Sequence, residues 1–333
     1  MPALGAFVTT TTQSRLLPKA IDSVLNGNVL TMRLLRNPRT WRGGTSIDVP
    51  VNLSDITAVG SYSGFDTFNT TQENIRQRAT FVPSQEYVSI PVSGIQKAIN
   101  QGDAAVLDLV ATEIEWRTNR LKDEMGAQVY SDGTGNSSKD LLGIHAAVDD
   151  STNVTTYAGL SRATYTNWRG TLTAQSGSLS LANLAADFDA AQRGDDAPTL
   201  IVTTPTVFTI YEALLTPTVS HQFSMNDFRM TEDGMAKVGG TLAANQGFRA
   251  LTFRGVPVVG DEKATSGNIF TLNEKHLFFY VIPQVDREIK AGFGWTGFKE
   301  PANQDAVVGQ LLWYGQLVCD APRTQARRTG VTS

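Results

Sequence analysis

Residues 103–130 read DAAVLDLVATEIEWRTNRLKDEMGAQVY. Leu107, Val110, Ile114, Leu121, Met125 and Val129 recur at steps of three, four, seven, four and four, the spacing that gathers side chains on one helix face. Glu113, Glu115, Arg117, Arg120, Lys122, Asp123 and Glu124 fill the other faces. Asp103 suits an N-cap, whose carboxylate accepts from the first orphaned N–H groups. Ser131-Asp132-Gly133 stops the helix. At 1.5 Å per residue it spans roughly 40 Å, well beyond the three turns of an average helix. A helix this long, with a narrow apolar stripe, reads as a structural spine packed under a sheet.

Upstream of this helix, residues 46–92 predict a long β-hairpin. Ile47, Val49, Val51 and Leu53 alternate with polar residues and Pro, the period of a strand with one buried face. Ala79, Phe81, Val88, Ile90 and Val92 supply the return strand. Between them Gly60–Asn74 is rich in Gly, Ser, Thr and Asn, about fifteen turn-type residues where a hairpin loop uses two to five. Such a tip is either mobile or docked on another surface, and Tyr62, Phe65 and Phe68 are its candidate contacts. Residues 1–45 predict an arm, with a short helical pattern at Pro18–Leu25 and a second apolar stretch at Val29–Leu35. Neither is long enough to fold alone, so the arm needs a partner surface.

Downstream, residues 131–180 are loop-rich and residues 181–320 alternate helix and strand. Helices are expected at Leu181–Gln192 and Thr206–Leu215. Strands are expected at Thr199–Thr203, Arg249–Val259, Asn268–Leu272 and Leu277–Ile282. A long apolar strand, Val307–Val318, leads into a basic tail.

Charge is concentrated at the ends of the 333-residue chain. Residues 1–45 carry Arg15, Lys19, Arg33, Arg36, Arg39 and Arg42 against Asp22 alone, and residues 321–333 carry Arg323, Arg327 and Arg328 with no acid. The ends are therefore +5 and +3; with −4 overall, the body between them holds −12. Basic ends on an acidic body suit an anionic partner, either nucleic acid or a neighbouring copy.

With 41% hydrophobic and 18% charged residues, the composition is that of a folded chain. No apolar run approaches the ~18 residues of a membrane span. Met1-Pro2-Ala3-Leu4 opens no secretory signal, so synthesis in a cytoplasm is expected. A single cysteine, Cys319, excludes an intrachain disulfide and any multi-cysteine metal site. Gly292–Gly297 matches GxGxxG, but Phe298-Lys299-Glu300-Pro301 follows where a nucleotide fold starts a helix. Gly133–Lys139 lacks the ending of a phosphate loop and follows a helix instead of a strand. No nucleophile elbow or metal-spaced histidine pair occurs. Asp149-Asp150 and Asp195-Asp196 read as solvated turns. No catalytic, cofactor-binding or metal site is expected, and an acid pair assembled by the fold is the route left open to an α/β enzyme.

The order of parts, together with several short stretches, resembles the major capsid proteins of tailed bacteriophages, the HK97-like fold. The stretches are Gly133-Thr134-Gly135 with Leu142-Gly143-Ile144, Gly159-Leu160-Ser161-Arg162 with Asn167-Trp168-Arg169, and Tyr211-Glu212-Ala213-Leu214. Phe253–Val258, Leu272-Asn273 before Leu277–Val281, and Trp313-Tyr314-Gly315-Gln316-Leu317 before the Arg-rich end complete the set. The resemblance implies an α+β shell protein: an N-terminal arm (1–45), an extended E-loop hairpin (46–92), a P-domain with the spine helix (93–180), mainly A-domain in 181–306, and a return strand with basic tail (307–333). It implies hexamers and pentamers of the chain itself in an icosahedral virion capsid around double-stranded DNA. A separate scaffolding protein is expected because few residues precede the hairpin; a portal and a decoration protein are further partners. Arg33, Arg36, Arg39, Arg42, Arg323, Arg327 and Arg328 become candidate contacts to DNA or to a neighbouring subunit. Some members of this fold join their loops to a neighbour's Asn through a Lys; residues 46–92 contain no Lys, so a noncovalent shell is expected. A nanocompartment shell protein of the same fold is the alternative.

Overall fold

The long strand Ala306–Cys319 is buried on both faces at its end, from Gly315 to Cys319, and such a run is stable only when neighbours cover both sides. The computed structural model describes residues 28–95, 109–219, 250–284, 288–290, 292–301 and 304–332. In chain order its strands are β1 Arg39–Thr40, β2 Ile47–Asn52, β3 Arg76–Phe81, β4 Ser84–Ser93, β5 Thr156–Tyr157, β6 Leu160–Ser161, β7 Thr171–Ser178 and β8 Leu200–Thr203. They continue as β9 Ala250–Phe253, β10 Val256–Gly260, β11 Ile269–Leu272, β12 Leu277–Val281, β13 Glu288–Lys290, β14 Phe293–Trp295, β15 Ala306–Cys319 and β16 Ala326–Thr332. The main helices are α1 Val29–Arg36, α2 Leu109–Val129, α3 Leu181–Ala191 and α4 Pro205–Val219.

β15 organises the first sheet. Along one edge it pairs with β4 from Ala306↔Ser93 to Gly315↔Ser84; along the other it pairs with β14 and then β12. The long helix α2 packs against β4, and Arg117 Nη1 donates to the Ser89 carbonyl at 2.9 Å. Leu121, Met125 and Val129 of the expected stripe are buried in the main core, and Ile114 is half-buried. Leu107, the side chain of Val110, and Pro18–Leu25 lie outside the described residues.

The second sheet runs β7-β16-β11-β8-β10-β9. Its strands alternate between two cores: Leu200, Val202, Phe270 and Leu272 join the main core, while Ile201, Val258, Ile269 and Val331 face a second core under α3 and α4. Period-two alternation with both faces apolar accounts for the unbroken hydrophobic strands here. At the β9–β10 turn Arg254 and Gly255 both have positive φ, 49° and 82°, the geometry of a two-residue hairpin turn whose twist matches its strands.

Three expectations are corrected. The return strand of the hairpin does not run through to Val92. It breaks at Val82-Pro83, where Pro cannot donate to a ladder, and β4 continues in the sheet of β15. The described part of the arm does not wait for a partner: Val29, Leu30 and Leu34 of α1 are buried against α2 and β12 of the same chain. The C-terminal residues are not a tail. β16 lies between β7, parallel, and β11, antiparallel.

Candidate functional site

β2 and β3 pair in register from Ile47↔Phe81 to Asn52↔Arg76, and the base of this hairpin is held in the core by Ile47, Val51, Ala79 and Phe81. The Leu53 N–H donates to the Ile75 carbonyl at 3.0 Å, and Asn167 Nδ2 donates to the Leu53 carbonyl at 3.0 Å. Residues 54–75 then leave the ladder. Their hydrogen bonds are local: the Thr57 N–H and hydroxyl donate to the Glu73 carboxylate, and the Ser63 N–H donates to Asp66 Oδ2 at 2.7 Å. The Thr57 donors hold the Glu73 carboxyl below the usual range.

This tip displays apolar surface. Tyr62 and Phe68 pack edge to face at 4.9 Å, yet both stay about two-thirds exposed, and Phe65 is fully exposed. Ile56 and Val59 are exposed as well. From Ile56 to Phe68 every third residue is therefore large, apolar and solvent-facing, a regularity that draws Ile56 and Val59 into the site beside Tyr62, Phe65 and Phe68. Single exposed apolar residues are common on a soluble protein; a contiguous series marks an interaction surface.

A second surface lies on the arm. Arg33 forms a two-pronged ion pair with Glu274, Nε to Oε1 at 2.8 Å and Nη2 to Oε2 at 2.7 Å, and is mostly buried. Arg36, Arg39 and Arg42 are exposed and form no ion pair among the described residues. The Arg39 guanidinium lies over the Phe278 ring, 3.4 Å from its centre, and donates to the Tyr280 hydroxyl at 3.4 Å. A cavity of about 400 Å³ opens here, floored by Leu34, Leu277 and Phe278 and rimmed by Arg36 and Arg39.

The C-terminal arginines divide. Arg323 is exposed, with Nη1 3.4 Å from Asn167 Oδ1. Arg327 and Arg328 are buried within the chain, on β16 between two strands and not on a free tail. Arg328 binds both carboxylate oxygens of Asp187, at 2.6 and 2.8 Å, with Gln175 Oε1 and the Asn183 carbonyl as further acceptors. Arg327 is 3.5 Å from the buried Asp149. Asp149, first of an adjacent acid pair, is a turn-builder: it accepts from the Asn153 side-chain amide at 2.9 Å and from the N–H groups of Val154, Ser151 and Asn153, which together hold its pKa down against its burial. Asp196 of the other pair is half-buried and binds Lys275 and His276.

Arg162 has no exposed surface. Its guanidinium serves the carbonyls of Ala146, Ala147, Val154 and Trp168, at 2.6 to 3.2 Å, and lies over Tyr157. It ties the loop-rich region 144–168 into one body, a role that a lone Arg between loops does not signal in sequence. Gly292, the first glycine of the GxGxxG match, has φ 81° in a turn followed by β14, so no helix N-terminus stands there.

No family model matches the chain, and no curated protein does. Solved structures match along the whole length. The cyanophage A-1(L) capsid asymmetric unit superposes with a TM-score of 0.73 at 16% identity, covering 99% of this chain and 100% of that one. The chain has the fold of phage capsid proteins. The capsid of Myoviridae phage XM1 gives 0.60 at 11% identity, covering 99% of each chain. The SrpI encapsulin of Synechococcus elongatus PCC 7942 shares the fold, with a TM-score of 0.59 at 11% identity over 99% of this chain and 96% of that one.

Proposed function

We propose that this chain is the major capsid protein of a tailed phage, assembling into hexamers and pentamers of an icosahedral shell around double-stranded DNA. The observation that carries the reading is the hairpin tip: apolar at every third residue from Ile56 to Phe68, exposed, and bonded only to itself. Exposed apolar surface of this kind gains roughly 25 cal/mol per Å² when a partner covers it, and a shell supplies partners on every side. The match to capsid chains over their full length supports the same reading.

In this reading 46–92 is the E-loop, 93–180 with α2 the P-domain, and 181–306 mainly the A-domain, with β15 and β16 closing the chain back on the body. The partners are further copies, a separate scaffolding protein, a portal, a decoration protein, and DNA met without sequence preference. Expression with its scaffold should give closed icosahedral particles in electron micrographs, with nuclease-protected DNA in particles from infected cells. A small oligomer that turns over a substrate would overturn the reading. Particles filled with a cargo enzyme would move it to the nanocompartment class, as the encapsulin likeness allows.

A further inference from the structure

We infer that His276 is a proton-operated clasp between the two sheets: with a proton on each ring nitrogen it bridges Asp320 and Asp196, and with one proton it holds Asp320 alone. The clasp belongs to the folded chain itself and does not depend on the shell reading. Its place in the fold is the first support. The chain crosses from the second sheet to the first at 273–276, between β11 and β12, and returns at 320–325, between β15 and β16. These two crossings are bonded side by side. The Asp320 N–H donates to the His276 carbonyl at 3.2 Å, the Asn273 N–H to Gln325 Oε1 at 2.8 Å, and Gln325 Nε2 to the Asn273 carbonyl at 3.0 Å. Asp196 comes from another element. It closes the turn between α3 and β8, where Arg193 and Asp196 exchange backbone hydrogen bonds at 2.9 and 3.0 Å. A side chain that touches both Asp320 and Asp196 therefore ties the crossings to the helix layer of the second sheet.

The ring supplies the second support. His276 Nδ1 is 2.8 Å from Asp320 Oδ1, and Nε2 is 3.4 Å from Asp196 Oδ2. An ionised carboxylate can accept but not donate, and a neutral imidazole has one N–H and one bare lone pair. Imidazolium alone donates to both acids; the neutral ring turns a lone pair toward a carboxylate oxygen. The contact to Asp320 is the shorter and the less exposed of the two, so the neutral ring keeps its proton there and releases Asp196.

The surrounding charges are the third. Arg39, on β1, acts on Asp320; Lys275 pairs with Asp196 at 3.0 Å and has Asp195 near it; Glu274 is taken by Arg33. Tyr157 and Cys319 lie beside Asp320, but burial raises both pKa values, the thiol to about 12, so neither adds charge at neutral pH. Burial raises the Asp320 pKa as well, and His276 opposes that rise ahead of Arg39. The Asp320 carboxylate and the His276 proton thus favour one another. Imidazoles change charge between about pH 5 and 8, so the clasp closes toward the acid end of that range and opens toward the alkaline end.

The test is hydrogen–deuterium exchange of the full chain at pH 5.5 and pH 8, each rate divided by the intrinsic rate at that pH. The readout is protection of peptides spanning 193–196, with peptides from β8 as the control for global stability. Relative to that control, wild-type protection at 193–196 should be higher at pH 5.5 by roughly threefold, the scale of a partly exposed ion pair. H276N has no proton to gain and D196N has no charge to bind, so each should remove the difference. K275M should keep or enlarge it, because the lysine no longer shares the Asp196 carboxylate. Should H276N fail to fold, D196N and K275M decide the matter. Equal protection at the two pH values in the wild type would overturn the clasp, as would a difference that survives H276N or D196N. A difference lost in K275M would assign it to the lysine pair instead. None of these outcomes bears on particle formation, so the shell reading stands or falls separately.

Discussion

His145 is a neutral acceptor in a half-buried place. Its Nε2 is 3.1 Å from Thr265 Oγ1 and 3.1 Å from Asn268 Nδ2, both groups with protons to give, and Arg327 Nη1 donates to its carbonyl at 3.4 Å. Burial, then the nearby Arg327 charge, lowers its pKa to about 4 from 6.5; Asp132 and Asp149 oppose that shift less strongly. The folded pKa lies below the unfolded one. As pH falls from about 6.5 the unfolded chain takes the proton first, so stability drops until the folded state also protonates near pH 4. Between pH 7.5 and 5 the wild-type melting temperature should fall more than that of H145Q; parallel curves would show that His145 does not titrate between the two states. Arg328 offers a test without titration. R328Q leaves Asp187 buried with its main partner gone, and breaking a buried pair costs ~3–5 kcal/mol. The expected product is insoluble or melts far below wild type; an unchanged melt would mean that the pair reaches water. In sequence these arginines read as a basic tail that could meet DNA or a neighbouring copy, because no acid stands near them. Their partners lie 141 residues away at Asp187 and well over a hundred away at Asp149, and only the sheet that inserts β16 brings them together.

At the scale of elements, the long helix was legible because a 3.6-residue period needs no knowledge of the rest of the chain. The fate of the arm was not. Val29, Leu30 and Leu34 are too few to make a core, and the surfaces they enter belong to α2 and β12. The docking is specific. Asn28 Nδ2 donates to the Lys122 carbonyl at 2.9 Å, and the buried Asn28 side chain occupies the notch that Gly126 leaves in α2, where any Cβ would collide with it. Asp261 then accepts the Leu30 N–H at 3.3 Å and the Tyr130 hydroxyl at 3.0 Å, fixing the N-terminus of α1. Alanine in place of a helix-interior glycine ordinarily gains about 1 kcal/mol. G126A should instead destabilise, and the same change in an N28G background should recover that gain. A stabilised G126A single variant would show that the arm gives way at no cost. Removal of residues 1–45 should unfold the body, since it strips α1 from the core; a soluble, cooperatively melting body after that deletion would contradict the packing. The hairpin stands between these cases: its alternation placed β2 and β3, while Pro83 redirected the rest of the expected return strand into the larger sheet, where its partner, β15, lies more than two hundred residues downstream.

For the whole molecule, the tip chemistry decides what kind of bond the proposed shell could place between neighbouring copies. An isopeptide or disulfide tie in which the tip provides the attacking group needs an amine or a thiol there. Residues 46–92 supply none: they contain no Lys and no Cys, and their bases are Arg76 and Arg78, whose guanidinium stays protonated and attacks poorly. The one cysteine of the chain, Cys319, is fully buried on β15, and burial raises its thiol pKa to about 12, so it holds almost no thiolate at neutral pH. What the tip does offer is apolar area and three carboxylates, which give contacts that denaturant, heat and detergent remove. Particles boiled in detergent without reductant should therefore run as a single band at the 36.0 kDa of the chain. If a shell holds the tip partly through its three exposed carboxylates, intact particles should loosen as salt rises, because screening shortens the reach of exposed charges to about 3 Å at 1 M. A ladder of oligomers that survives boiling would place a covalent bond where this chemistry offers no nucleophile, and particles indifferent to salt would leave the aromatic contacts alone to hold the tip.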